Sequence, residues 1–456
     1  MKNKKLISTI LSINILALNI MPASASIFAQ KNNVIQSQVT EYKFENINLD
    51  WWKSYNDEYL EGYIVKALNE NQDLKIATLK VEQAKQNVKL QFAQELPSAQ
   101  IGVSPLIYKT PYTTNTDSSF SIPMLVNYEA DIFLKNHDKT KSAKKLHEMA
   151  KFNEKAINIS ISSQIGATYF HIVKLDKLIF LQDAIIKDRK KIYELNKITN
   201  TQGLTSTADL VRAEKNYVLA VADMSDFKKA REIFLNSLAV MIGESPNNIN
   251  EFKRLSYDEL AAMKSIPDII SSEVITNRPD YQVAEKMVEK SGLDVRIAKK
   301  EFLPNINLLG LFTFNSFANA SSMNWENILA AFGGSAMLDV FKGGAKMANL
   351  RLKKNYYEQT LQNYYKTNLI AMQEVNDAIC ALKFDYDKYL KNLNSYNMQK
   401  KDFKYSEIKY HDGLISNLDL LQQKEMLLMM NKMVVNSKTD CYINQISLYK
   451  AVGGKL

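Results

Sequence analysis

Apolar positions along this chain change period several times, and the changes mark its elements. From Asn277 onward, Tyr281, Ala284, Val288, Ser291, Val295, Ala298 and Phe302 recur at alternating steps of three and four, the seam of a helix that packs in a left-handed coil. The period breaks at Pro304. Beyond it Ile306, Leu308, Gly310, Phe312 and Phe314 alternate with Asn307, Leu309, Leu311 and Thr313, which predicts a strand opening at a proline. An earlier stretch does the same: a helical stripe from Tyr59 to Leu96, Pro97, then two alternating segments, Ala99 to Val103 and Phe120 to Ile132, joined by a polar hairpin loop. A second helical pattern runs from about Lys141 to Thr199 with its seam at Ile161, Ile165, Thr168, Ile172, Leu175, Ile179 and Ile186, and about 60 residues make a rod of about 90 Å at helical rise. Gln202-Gly203 stops it, and a return helix comes next with Leu210, Ala213, Tyr217, Ala220 and Met224 at heptad spacing.

These patterns occur twice. Residues 73–101 align without a gap with 280–308, pairing Asp73 with Asp280, Ala77 with Ala284 and Pro97 with Pro304. Downstream, Asp131-Ile132-Phe133 matches Asp339-Val340-Phe341, Gly203-Leu204 matches Gly413-Leu414, and Gly243 matches Gly453. Two copies of one unit therefore set the organisation. The expected division is a first repeat over 59–243 (strands 97–134, long helix 141–199, return helix 206–242), a connector over 244–276 with a short helix from Tyr257 to Met263, and a second repeat over 277–456 (strands 304–341, long helix 345–409, return helix 417–450). Residues 1–25 carry three lysines, an apolar run and Ala23-Ser24-Ala25, the pattern of a secretory signal peptide cut after Ala25, and 26–58 read as an extended lead.

Composition narrows the function classes. The 46% hydrophobic content is dispersed in stripes that lysines interrupt, so any entry into a membrane must be by strands. Four strands from one chain leave open edges that lipid does not tolerate. A formal charge of +9 spreads along helix faces without a basic cluster, which argues against nucleic acid. The four histidines are scattered, and neither His-Glu-x-x-His nor Cys-x-x-Cys occurs, so no metal, cofactor or catalytic constellation is expected. His171 reads as a helix-surface residue, Gly333-Gly334 and Gly343-Gly344 as turn or bulge glycines flanking the last strand, and Glu374, Asp377, Asp385 and Asp387 as a solvated face. Cys380 and Cys441 differ by about five residues in height across the second hairpin; a bridge is open, and two buried free thiols are the favoured reading.

Asp50-Trp51-Trp52, Arg278-Pro279-Asp280, a Leu-Pro before each strand pair, the run from Tyr410 to Leu421 and the terminal Leu448 to Gly454 together resemble the TolC family of outer-membrane efflux proteins. The resemblance implies a mainly α fold with a membrane β-barrel: twelve strands from a homotrimer above an antiparallel helical tunnel. It also implies an outer-membrane exit duct contacting outer-membrane lipid, a periplasmic adaptor (membrane fusion) protein and an inner-membrane efflux pump or ABC exporter. In such proteins the second tip lines a closed aperture, which carries over to Tyr410, Leu418 and Asp419; this chain departs from the pattern at Ile415 and at Gln422, where an aspartate is usual. A plainer role stands beside that one. Ser206 with Asp209, and Ser416 with Asp419, have the spacing of helix capping boxes just past the turn glycines Gly203 and Gly413. The alternative reading is a soluble periplasmic coiled-coil scaffold or adaptor.

Overall fold

The computed structural model describes residues 50–109, 116–247, 252–261, 272–317 and 328–454. The expected signal peptide and most of the lead lie outside them. After a 3-10 turn at Asp50–Tyr55 come α1 (Glu58–Glu70) and α2 (Gln72–Ala93), then β1 (Ser98–Ile101), β2 (Ser104–Lys109) and β3 (Thr116–Glu129). The long helix α3 (Lys135–Thr201) and return helix α4 (Thr207–Met241) complete the first round. The second round is α5 (Pro279–Lys300), β4 (Asn305–Phe317), β5 (Ile328–Met337), α6 (Ala345–His411) and α7 (Asn417–Ala451). Both long helices have 67 residues, about 100 Å at helical rise, and both return helices have 35.

Several expectations need correction. The helical stripe from Tyr59 breaks at Asn71, whose extended backbone lets its side chain accept from Leu74 N and cap α2. The first strand is split at Gly102-Val103, while the ladder continues through the Gly102 N–H donating to Pro123 O at 2.9 Å. Gly333 and Gly334 lie inside β5 and not beside it; a Cβ on Gly334 would stand 3.2 Å from Leu308 Cδ2, so its bareness admits the opposed leucine. Gly343 and Gly344 do form a positive-φ turn. The connector holds a 3-10 turn at Tyr257–Glu259, and the rest of the helix expected up to Met263 falls outside the described residues.

The strands form one antiparallel sheet in the order β1/β2, β3, β4, β5. Register puts Val126 opposite Gly310 and Gly310 opposite Phe332, then Met124 opposite Phe312 and Phe312 opposite Ala330. One face therefore collects the apolar even-numbered residues, with Phe312 and Phe332 meeting edge to face at 5.1 Å. Asn127, Glu129, Asn307 and Ser335 share the other face, around a cavity of about 790 Å³ against the end of α2. Helices keep the strand order. α3 packs on α2, α4, α5 and α7, whereas α6 packs on α5 and α7, so the sheet and the helical wall end at the same two edges.

In each repeat the helix that enters the strands and the return helix stack end to end beside the long one, α2 on α4 and α5 on α7. Asn71 Nδ2 donates to Met241 O at 2.8 Å, joining α2 to the end of α4. At the equivalent place Arg278 Nη1 donates to Ala451 O at 2.6 Å, joining α5 to the end of α7, and its other nitrogens hold Asp280 (2.7 Å) and Glu374 of α6 (2.5 Å). Glu374 is thus an ion-pair partner and not a free surface carboxylate. Burial pushes the Asp280 carboxyl up, but hydrogen bonds and charge from Arg278 outweigh it and hold the group below the usual range.

An aromatic cluster fills the middle of the wall. Phe170 stacks on Tyr442 at 4.9 Å and Tyr55 lies between Phe170 and Trp51. Gly166 explains how a tryptophan fits against a continuous helix: a Cβ there would lie 2.3 Å from Trp51 Cη2. Tyrosine hydroxyls tie down the connector, Tyr63 donating to Lys253 O (2.7 Å), Tyr442 to Ala261 O (2.6 Å) and Tyr257 to Val435 O (3.1 Å). His171 is not a free surface residue either; it stacks on Phe234 at 4.7 Å, and burial lowers its pKa to about 4, so it stays neutral. Both cysteines are free, Cys441 buried and Cys380 exposed, which corrects the expectation of two buried thiols.

These packings are open to test in two places. Gly166→Ala should destabilise by about 1–3 kcal/mol through overpacking, whereas Gly62→Ala, where a Cβ meets nothing within 4 Å, should be neutral or stabilising; thermal denaturation of the purified protein compares them. The Arg278–Asp280 contact should stabilise above the unfolded aspartate value of about 4 and fade as pH falls through the lower folded value. Accordingly, the thermal midpoints of wild type and Asp280→Asn should differ at neutral pH and converge in acid.

Candidate functional site

The candidate site is the pair of helix tips. The first hairpin turns at Gly203, with Gly203 N donating to Asn200 O (3.0 Å) and Leu204 N to Thr199 O (2.8 Å). The second repeats this at Gly413, through Tyr410 O (3.0 Å) and Lys409 O (2.8 Å). Both are six-residue loops that need a left-handed residue, and both glycines sit at φ 74°. Each return helix is then capped by a serine, Asp209 N donating to Ser206 Oγ and Asp419 N to Ser416 Oγ, both at 3.1 Å. Only the second tip closes the full box, with Ser416 N donating to Asp419 Oδ2 at 3.1 Å. In the first, Asp209 meets the Ser206 hydroxyl (2.8 Å) and Arg212 (3.2 Å). Hydrogen bonds from the Ser416 hydroxyl and then its backbone hold the Asp419 carboxyl below its ordinary value.

Tyr410, Asp419 and Gln422 are exposed on the second hairpin, while Ile415 and Leu418 are half-buried. Leu204 and Leu414, one past each turn glycine, are 76% and 72% exposed. Pro97 and Pro304 lie at the opposite end, immediately before the residues that open β1 and β4.

Sequence reasoning missed how the two tips are tied together. Gln182 Nε2 donates to Ala220 O of α4 (2.7 Å), and Lys432 of α7 donates to Gln182 Oε1 (2.7 Å). Seven residues on, Arg189 Nη1 donates to Asn216 O (2.9 Å) and its Nη2 pairs with Glu425 of α7 (2.6 Å). Asp188, 2% exposed at its side chain, pairs beside it with Lys424 (2.9 Å). Polar rungs thus join α4, α3 and α7 one heptad apart and put both tips at the same end. A signal was present, because the three-four seam of α3 continues onto Gln182 and Arg189.

The sequence matches the outer membrane efflux protein family over residues 63–244 and 270–454. The chain belongs to that family. It is 23% identical over 420 residues to the toluene efflux pump outer membrane protein TtgC of Pseudomonas putida, covering 89% of this chain and 84% of the relative. It is 24% identical over 417 residues to the cation efflux system protein CusC of Escherichia coli, covering 89% of each. The fold matches the Campylobacter jejuni CmeC outer membrane channel with a TM-score of 0.80 at 23% identity, over 91% of this chain and 90% of that one. It also matches the open state of the Neisseria gonorrhoeae MtrE channel with a TM-score of 0.78 at 23% identity, over 87% and 89%. The protein is an outer-membrane efflux channel with a periplasmic helical part, and the soluble scaffold or adaptor alternative has no support.

If the rungs hold the tips, removing one should loosen them. Arg189→Gln combined with Glu425→Gln should speed tryptic cleavage near the second turn, at Lys404 and Lys409, severalfold without unfolding the protein. Unchanged cleavage would show that the rungs do not hold the hairpins together.

Proposed function

We propose that three copies close into one duct, with twelve strands in the outer membrane and the helices forming a periplasmic tunnel. One observation carries this reading: sheet and helical wall are open at the same two edges, so one rotation about a common axis would close both. Those edges are apolar and uncovered. Every residue of β5 is exposed, as are Val211, Val218 and Ile233 on α4 and Leu352, Leu369 and Met398 on α6. The unit of closure is two fused repeats, 59–243 and 277–456, with 244–276 as a belt between them.

In this reading the duct is the passive outlet of a tripartite efflux or type I secretion machine, and it has no enzyme activity of its own. Leu204 and Leu414, exposed at identical turns, suit docking of a periplasmic adaptor that leads to an inner-membrane pump or ABC exporter. Relatives are named for cargo as different as toluene and cations, which fits a duct whose selectivity lies in its partners. The aperture falls at the second tip. There Asp419 is engaged in capping its helix and Gln422 brings no charge, so closure rests on a ring of Leu418 with Tyr410 and Ile415 beside it. Leu418→Ala should raise single-channel conductance in planar bilayers, and Gln422→Ala should change it only slightly. Both variants should sediment with outer membrane and run as SDS-resistant trimers. A trimeric Leu418→Ala protein with wild-type conductance would overturn the hydrophobic ring, and a wild-type protein that runs as a monomer would overturn the duct.

A further inference from the structure

The paired Asp-aliphatic-Phe motifs at residues 131–133 and 339–341 lie at the two strand-to-helix turns, and the transport reading gives them no task. In both, the aspartate faces its own chain. Asp131 accepts from Lys135 N (2.6 Å) and His137 N (2.8 Å), which caps α3; Asp339 pairs with Lys342 (2.7 Å) and Lys346 (3.4 Å). The apolar residues next to each aspartate are left uncovered. Ile132 is 65% exposed, Val340 91% and Phe341 87%.

We infer that these turns form a collar that inserts into the periplasmic leaflet of the outer membrane, below the barrel, with phospholipid as its partner. Three observations carry the inference. The apolar face of the sheet leads up to the collar: Ala130 N still donates to Ile306 O at 2.8 Å, and the chain turns directly after it, Ile132 N donating to Ala130 O at 2.9 Å. The first turn lies between β3 and α3, an interior position flanked on both sides by elements of its own chain, so a neighbouring copy cannot cover it laterally. Finally, Leu134, the N-cap of α3, is held at φ 58°, a left-handed conformation costly for any residue with a side chain, and yet is 55% exposed, whereas the N-cap of α6 is Gly344 at φ 79°. An exposed leucine at a glycine position is a poor solution in water. At a lipid boundary the same side chain gains a partner.

The test uses full-length protein carrying Cys380→Ser, which removes the exposed thiol and leaves the buried Cys441. Single cysteines at Ile132, Val340, Phe332 and Leu204 are labelled with an environment-sensitive fluorophore. The protein is then reconstituted in phosphatidylethanolamine–phosphatidylglycerol vesicles whose acyl chains are brominated near the headgroup. Emission from Ile132→Cys and Val340→Cys should fall severalfold, as at Phe332→Cys on the barrel face, with Leu204→Cys at the tip unaffected. The collar rests on the barrel reading, and the two fail differently. An unquenched Phe332→Cys would remove the barrel, whereas a quenched Phe332→Cys with unquenched Ile132→Cys and Val340→Cys would overturn the collar alone. Disulfide-linked dimers of Val340→Cys would overturn it too, by assigning that turn to a second copy.

Discussion

A sheet in lipid cannot leave its edge strands unpaired, because no water is present to take the free N–H and C=O groups. One copy of this chain has two such edges, β1/β2 and β5. The helical part inherits the constraint, since the order of strands is the order of helices: α2 enters β1, β3 leaves into α3, α5 enters β4 and β5 leaves into α6. The helix most completely surrounded is therefore α3, next to the middle of the sheet, and its buried residues occupy two flanks, including Ile165, Phe170, Ile172 and Val173. The other long helix has the same length and buries few residues in the single chain, among them Ala371, Val375 and Leu382. Equal length with unequal burial is what a repeat produces when one copy is interior and the other terminates the wall.

Much of this was legible in the residues. Pro97 and Pro304 marked the change from helix to strand because proline ends one ladder and begins the other, and Gly203 and Gly413 marked the tips because a six-residue helix-ending loop needs a left-handed residue. What escaped shares a cause. The helix break at Asn71 is invisible to periodicity, since both flanks are helical and the deciding partner, Met241 O, lies 170 residues away. Gly333-Gly334 looked like a turn or bulge because only the register with Leu308 shows that a strand needs Gly334 bare. Gln182, Asp188 and Arg189 drew no reading from the sequence, because their partners come from two other helices. The tip capping was readable from local spacing and is present in both hairpins; the cross-links between hairpins were not.

Divergence between the repeats is informative where geometry is shared. Asn71 and Arg278 both reach the carbonyl that ends the stacked return helix, but the amide makes a local junction whereas the guanidinium also gathers Asp280 and Glu374. The extra reach of arginine lets one residue join three helices, α5, α6 and α7. In the first repeat that lateral work is done by the aromatic cluster around Gly166, where Trp51 and Tyr55 come from outside the repeat. Two copies of one backbone thus close the same gap with different chemistry. The identical helix lengths persist because they are set by stacking, which both solutions preserve.

Strength is distributed unevenly along the helices. At mid-height the wall is held by buried aromatic pairs, each contributing about 0.5–1.5 kcal/mol beyond the area they remove from water, and by tyrosine hydroxyls that fasten the connector across α1 and α7. Toward the tips the links between hairpins are Arg189–Glu425, Asp188–Lys424 and Lys432–Gln182. Of these, Lys424 is 42% exposed at its side chain but Asp188 only 2%, so separating the pair would leave a buried carboxylate without its counter-charge. The turns spend hydrogen bonds locally, on Gly203, Gly413 and the serine caps. Buried ring packing therefore sets the middle of the wall, and charge and amide pairing set its approach to the tips.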